Sequence, residues 1–184
     1  MSDGTIWGTT SDGLSTNRGT VFKIDPTTSA VTVVHSFSYT TSAEGYQLRS
    51  GVTEDSNGFV WLGTQNSVTQ QNPNDWQIAW NFAAGDIGLD ASGITAILGD
   101  NQGGVWVGGN GAAYFNGMLW RTFTISDGLS AGIVQVIAED NQRRVWIGTS
   151  AGLSIWNGAS FFRLDRQSGL PNDDITALFS DGPR

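Results

Sequence analysis

Apolar positions along the chain fall into short runs separated by clusters of Asp, Asn, Gly and Ser, and the runs recur in a fixed order. One segment repeats plainly: Ile94-Thr-Ala-Ile-Leu-Gly-Asp100, Val134-Gln-Val-Ile-Ala-Glu-Asp140 and Ile175-Thr-Ala-Leu-Phe-Ser-Asp181, with a weaker copy at Arg49-Ser-Gly-Val-Thr-Glu-Asp55. Six residues after the closing aspartate stands a tryptophan, as Asp55 to Trp61, Asp100 to Trp106 and Asp140 to Trp146. Each sits in a similar string: Val60-Trp61-Leu62-Gly63, Val105-Trp106-Val107-Gly108 and Val145-Trp146-Ile147-Gly148. Gly88-Leu89, Gly128-Leu129 and Gly169-Leu170 lie six residues ahead of Ile94, Val134 and Ile175. Three markers in constant phase define a repeat of roughly forty residues.

Each unit predicts four short strands. The first, such as Ile94 to Asp100, carries apolar residues on both alternating faces, as a strand covered on both sides does. A turn rich in Asp, Asn and Gly follows (Asp55 to Gly58, Asp100 to Gly103), and then the tryptophan strand. The third strand, Ala112 to Phe115 or Leu153 to Trp156, ends at Asn116-Gly117 or Asn157-Gly158, pairs that signal a hairpin. The fourth, Leu119 to Thr124 or Ser160 to Leu164, is bulky and aromatic. No window shows a capped helical stripe, so the chain reads as all β. A four-stranded unit needs cover on both faces, and radial stacking about an axis supplies it, which gives a β-propeller.

The first unit begins at a tryptophan strand, Asp3 to Thr9, followed by Gly19 to Asp25 and Val31 to Phe37, and it lacks a first strand. Ile175 to Asp181 is a first strand with no successor. Joined, the two complete one blade, so the expected blades are 175–184 with 1–42, then 43–87, 88–127 and 128–174.

The pattern from Gly128 to Leu153 (Gly-Leu, a six-residue step, an apolar strand, Asp, Trp-Ile-Gly-Thr, Gly-Leu) resembles the two-component regulator propeller repeat, and the likeness covers about Ala43 to Asp181. Gly19-Thr-Val-Phe-Lys-Ile-Asp-Pro26 through His35-Ser-Phe37 is similar to a second class of bacterial tandem propeller repeats with a Gly-Thr-Val-Phe-Lys signature. The resemblance implies a non-enzymatic sensing or binding module, displayed outside the cytoplasm in the extracellular space or periplasm, ahead of a membrane helix and a kinase. Rings of this family commonly hold more than four blades. Two closures are therefore open: a four-bladed monomeric ring, or two chains joined head to tail into an eight-bladed homodimer.

Charge narrows the partners. Nine basic and seventeen acidic residues among 184 give a net charge of −8, which argues against a phosphate-tracking nucleic-acid binder. No apolar run reaches the roughly 18 to 20 residues that span a bilayer, and Met1-Ser2-Asp3-Gly4 lacks the basic start of a signal peptide. The chain has no cysteine, which excludes thiol catalysis and thiolate metal sites. His35 is the sole histidine, at mid-strand, and reads as structural rather than as a metal ligand. Asp55 to Gly58 and Asp100 to Gly103 lack the spaced carboxylates of a calcium loop and read as turns. No cofactor, metal or catalytic residue is expected.

Trp7, Trp61, Trp106 and Trp146 read as wedges between blades, whereas Trp76 and Trp80, at even spacing, are expected on one face of an outer strand, as interblade packing or a sugar platform. Strand alternation places the fourth-to-first connections and the second-to-third turns at one end of the ring. That end gathers Tyr46, Arg49, Asp86, Asp90, Asn110, Asp127, Asn172, Asp173 and Asp174, a polar set suited to a saccharide or peptide. The leading alternative is a polysaccharide lyase or hydrolase using Asp86, Asp90, Asp173 and Asp174 with Tyr46 and Arg49. A further one is a truncated or recombined propeller scaffold without a native ligand.

Overall fold

A computed structural model describes residues 5–11, 17–38, 48–90 and 93–180. Its strands are β1 (Ile6–Thr10), β2 (Asn17–Ile24), β3 (Val31–Ser38), β4 (Leu48–Glu54), β5 (Val60–Thr64), β6 (Ser67–Gln71), β7 (Ile78–Ala83), β8 (Ala96–Gly99), β9 (Val105–Gly109), β10 (Gly111–Phe115), β11 (Trp120–Phe123), β12 (Val134–Glu139), β13 (Val145–Thr149), β14 (Gly152–Trp156) and β15 (Phe161–Leu164). They form antiparallel sheets in the orders β1-β2-β3, β4-β5-β6-β7, β8-β9-β10-β11 and β12-β13-β14-β15. The three full sheets match the repeat in the sequence, strand for strand. The only helical residues among those described are short 3-10 turns at Ala84–Ile87, Ile125–Asp127 and Arg166–Ser168. Each ends at the Gly of a Gly-Leu marker, and the leucines Leu89 and Leu129 are buried beneath.

The sheets pack as a row, β1 on β4, β4 on β8 and β8 on β12. Three apolar seams hold it. Trp7 and Val21 meet Leu48, Val60 and Leu62; Trp61 and Phe82 meet Val105, Val107 and Phe115; Trp106 and Phe123 meet Ile137, Val145 and Ile147. Trp7, Trp61 and Trp106 thus press on the next sheet, as the wedge reading requires, whereas Trp146, on the last sheet, lies beside Leu178 and Phe179. His35 is structural as well, lying flat on Trp76 at 5.5 Å with Phe37 edge-on at 4.7 Å.

Packing explains the glycine two residues after Trp61, Trp106 and Trp146. A Cβ on Gly63 would fall 2.4 Å from Ile94 Cγ2, one on Gly108 would fall 2.3 Å from Val134 Cγ1, and one on Gly148 would fall 2.6 Å from Ile175 Cγ2. The bare backbone is the seat on which the leading residue of the following unit rests. A hydrogen bond accompanies it: Ile94 N donates to Thr64 O and Ile175 N to Thr149 O, both at 3.0 Å.

The aspartate closing the first strand organises the turn behind it. Asp55 Oδ1 accepts the backbone N–H of Asn57 and Phe59, and Asp140 Oδ1 accepts those of Gln142 and Arg144. The other oxygen takes the indole N–H, Trp61 Nε1 to Asp55 Oδ2 at 2.7 Å and Trp146 Nε1 to Asp140 Oδ2 at 2.8 Å. Burial raises the affinity of Asp140 for a proton, yet the bonds from Trp146, Arg144 and Gln142 outweigh it and hold the carboxyl at about 2.

Two expectations meet a different structure. The first sheet has three strands, where the sequence predicts a fourth from the C-terminal segment. Residues 175–180 form no strand and lie on the last sheet, with Leu178 and Phe179 beside Ala138, Trp146 and Leu153. β1 stands at the far end of the row, and residues 1–4 and 181–184 of the expected joint blade lie outside the described residues. Secondly, Trp76 and Trp80 do not share a face. Trp76 sits in the turn before β7 with φ of 56° and meets Trp7 and His35, whereas Trp80 lies exposed on β7 beside Phe82. Two-residue alternation fails because Trp76 is not in the strand and the ladder shifts register at Gln70/Gln71.

Three outcomes follow from these contacts. Gly63→Ala and Gly108→Ala should each lower stability by about 1–3 kcal/mol, as overpacked cores do, and Gly148→Ala by less, read as urea midpoints. Arg143 holds a left-handed φ of 62° where the other turns place Gly58 and Gly103. Arg143→Gly should therefore raise stability by about 1 kcal/mol. The depressed Asp140 contributes stability that is fully present above the ordinary carboxylate range and is lost as pH falls toward 2. Asp140→Asn should lower the melting temperature at pH 7 by about 2–4 °C, and that gap should close between about pH 4 and pH 2.

Candidate functional site

The end of the molecule bearing the connections is built from antiparallel strands that all reverse there. Its nominated residues are dispersed along a rim. Asp90, following the 3-10 turn, accepts a hydrogen bond from Asn110 Nδ2 at 2.6 Å, so a fourth-to-first connection and a second-to-third turn meet directly. Asp174 Oδ1 accepts one from Gln135 Nε2 at 2.6 Å, and Asp173 Oδ1 accepts one from Arg166 N at 2.7 Å. Asn172 Oδ1 accepts the backbone N–H of Asp174. Asp127 caps its own 3-10 turn through Thr124 N and Oγ1, and those bonds hold its exposed carboxyl below the usual range. Asp86 is exposed on the Ala84–Ile87 turn, and Arg49 is exposed on β4 with its side chain near Gly93. Tyr46 lies outside the described residues.

The rim therefore joins Asp90 to Asn110 and Asn172 to Asp174, while Asp127 and Asp173 spend acceptor capacity on local backbone. The cavities that follow are lined by none of the nominated residues.

At the opposite end, two equivalent grooves open between sheets. The first, about 340 Å³, lies between the second and third sheets and is walled by Trp61, Trp80, Phe82, Phe115 and Met118, with Asp55 at its base. The second, about 400 Å³, lies between the third and fourth and is walled by Trp106, Tyr114, Phe123 and Trp156, with Asp100 at its base and Arg121 at its rim. Their bases differ. Asp55 Oδ2 is taken by Trp61 and by Gln70 Nε2 at 2.9 Å. In the third sheet, Tyr114 stands across from Trp106 where Gln70 stands across from Trp61. Its ring leans on Trp106, tilted by 34° with centroids 4.7 Å apart, and Asp100 Oδ2 is buried with no accepted hydrogen bond from Trp106. Burial and then the Asp100 charge push the Tyr114 hydroxyl up to about 12, so it stays protonated beside that carboxylate. Arg121 lies over the rings of Phe123 at 4.6 Å and Trp156 at 5.5 Å.

Sequence reasoning missed this second groove. The signal available was the replacement of a polar or aliphatic residue by Tyr114 at one repeat position.

Among the described residues, no group of three or more His, Cys, Asp and Glu side chains is placed to hold a metal ion. No helix among them is long and apolar enough to cross a membrane.

Residues 88–111 and 128–151 match the model of the family described as two component regulator propeller. No curated protein matches the chain in sequence. Among solved structures the chain is similar to the extracellular domain described as that of hybrid two component system BT3049 from B. thetaiotaomicron, at 26% identity and TM-score 0.68 over 83% of this chain and 21% of that one. It is also similar to the corresponding domain of BT4673 from the same organism, at 20% identity and TM-score 0.60 over 84% and 20%. PorZ, a surface component of the type-IX secretion system of Porphyromonas gingivalis, shares the fold at 18% identity and TM-score 0.65 over 98% and 28%. The chain spans less than a third of each of these proteins. Seams, sheets and sequence markers agree with these likenesses: the chain is an all-β propeller assembly carrying two-component regulator propeller repeats at residues 88–111 and 128–151.

Proposed function

We propose that this chain is a non-enzymatic, ligand-binding propeller module of the kind borne by extracellular sensors, and that it takes a saccharide or peptide at the end carrying the long connections. The observation that carries the reading is the Asp90–Asn110 bridge, which ties a fourth-to-first connection to a second-to-third turn at that end. The likeness to the BT3049 extracellular domain supports sensing as the role. The rim carboxylates engaged in caps and bridges are poor candidates for acid–base work, because each is held by its own backbone or amide partner.

The ring belongs to the same reading. Blades at 175–184 with 1–42, 43–87, 88–127 and 128–174 make a closed propeller once the segment 175–180 lies beside β1. Its seating on Gly148 supports this, since Ile94 and Val134 hold the same position at the head of their own sheets.

One observation favours a second location for the ligand. The groove over Asp100 offers aromatic walls, the protonated hydroxyl of Tyr114 and the guanidinium of Arg121, groups that suit a neutral polyhydroxylated ring.

Calorimetric titration with a set of soluble oligosaccharides and short peptides tests both. Binding at the rim should fall about tenfold in Asp90→Ala and Asn110→Ala and hold steady in Arg121→Ala, as expected for a lost hydrogen bond to a charged group. Loss in Arg121→Ala alone would move the ligand to the groove. Affinity untouched by all three would sink both locations.

A further inference from the structure

Between the first and second sheets, the seam departs from its siblings at two facing positions. In the second and third sheets, the ladder runs from the glycine two residues after the tryptophan to an aromatic groove wall. Gly63 pairs with Val68 and Val68 with Phe82; Gly108 pairs with Ala112 and Ala112 with Phe123. In the first sheet, the same path from Thr9 passes Val21 and ends on His35. The opposite wall of each groove is the residue paired with the valine before the tryptophan, Phe115 across from Val105 and Trp156 across from Val145. Across from Val60 stands Gln71. A histidine and a glutamine thus face this seam, where aromatic rings occupy both positions in the others.

Gln71 is completely buried, and neither its amide nitrogen nor its amide oxygen has a hydrogen-bond partner. Val60, its ladder partner, packs with Val21 and Phe37 of the first sheet, which places the amide in the seam. Thr69, two residues earlier on the same face, is equally covered, and its hydroxyl is also unpaired. Buried polar groups in this condition forfeit their hydration without compensation. Trp76 covers the same seam. The turn from Gln71 to Ile78 holds residues 72–77, where the siblings use 116–119 and 157–160. Its added length carries the indole across onto His35, 12° from parallel with centroids 5.5 Å apart, and to within 6.2 Å of Trp7. The turn is held by its own bonds, Trp76 N to Asn72 O at 2.8 Å and Gln77 N to Asp75 Oδ1 at 3.0 Å. Without such a cover, the sibling grooves open to about 340 and 400 Å³.

We propose that this seam is a binding site for a carboxamide group, with Gln71 as its hydrogen-bond partner and the turn 72–77 as a lid that swings aside to admit it. A side-chain amide offers a donor and an acceptor side by side, and a second amide meets both at once. The rings of Trp7 and Trp76 suit its planar, neutral body, and the Thr69 hydroxyl supplies a further bond. The primary amide of an amino acid and the acetamido group of an N-acetylated sugar share this chemistry. The site lies in a different seam from the groove over Asp100 and uses none of the rim residues.

Heteronuclear NMR of side-chain amides reads the site directly, the Gln71 signal being assigned by its loss in Gln71→Leu. N-acetylglucosamine and glutamine are added separately as probes, with glucose as the control that lacks an amide. Expected is a saturable shift of the Gln71 amide and the Trp76 indole with at least one probe and none with glucose. Which probe acts distinguishes the sugar from the amino acid as the source of the amide. Gln71→Leu should weaken that probe about tenfold, as loss of a pair of hydrogen bonds does. The same variant should raise the urea midpoint, because an unpaired buried amide gives way to an apolar group of similar volume. A lowered midpoint would mean that the folded protein satisfies the amide internally, and would overturn the site. A Gln71 amide unmoved by both probes would overturn it as well, leaving the amide to a trapped water. Shifts at Asn110 with Gln71 unmoved would assign the probe to the rim, sinking this inference while upholding the rim reading.

Discussion

The fold depends on an indole pressed against the sheet that follows it. Trp61 and Trp106 are each completely covered by that contact, and each brings with it the whole apolar side of its sheet. Burial of a large aromatic surface supplies most of the attraction in such a seam. Close approach depends on the glycine two residues on, because a single methyl group there would overlap the leading isoleucine or valine of the neighbour. Wedge and seat act together. Neither would position the next sheet alone: the ring sets the distance at the outside of the seam and the bare backbone sets it at the inside.

The Asp–Trp hydrogen bond is a secondary lock on the same part. It orients the indole and satisfies its N–H, a donor that would otherwise be buried unpaired at a cost of about 1–3 kcal/mol. Two sheets keep the lock, and the third has in its place a tilted Tyr114–Trp106 ring contact. There the carboxylate oxygen at the base of the aromatic groove accepts no hydrogen bond from the indole.

Much of the architecture was legible in the chain because the markers are spaced by the fold itself. Trp-x-Gly, the strand-closing Asp and the Gly-Leu pair each correspond to one contact: a wedge with its seat, a turn with its lock, and a 3-10 turn with its buried leucine. Strand limits such as Ala112 to Phe115 fall within a residue of β10. Site residues were less legible. Asp127 and Asp173 are attractive as ligand groups by type and position, but capping is decided by backbone geometry that composition does not carry. Trp76 escaped the two-residue alternation because its left-handed turn lies outside any strand. The groove over Asp100 depends on which of two partners Trp106 chooses, and that choice turns on a residue across the ladder, eight positions further along.

The resting place of Ile175 on Gly148 has a kinetic meaning. Each unit offers the finished platform for its successor, so assembly can advance along the polypeptide in the order of synthesis, one docking event at a time, with mostly local loops to close at each stage.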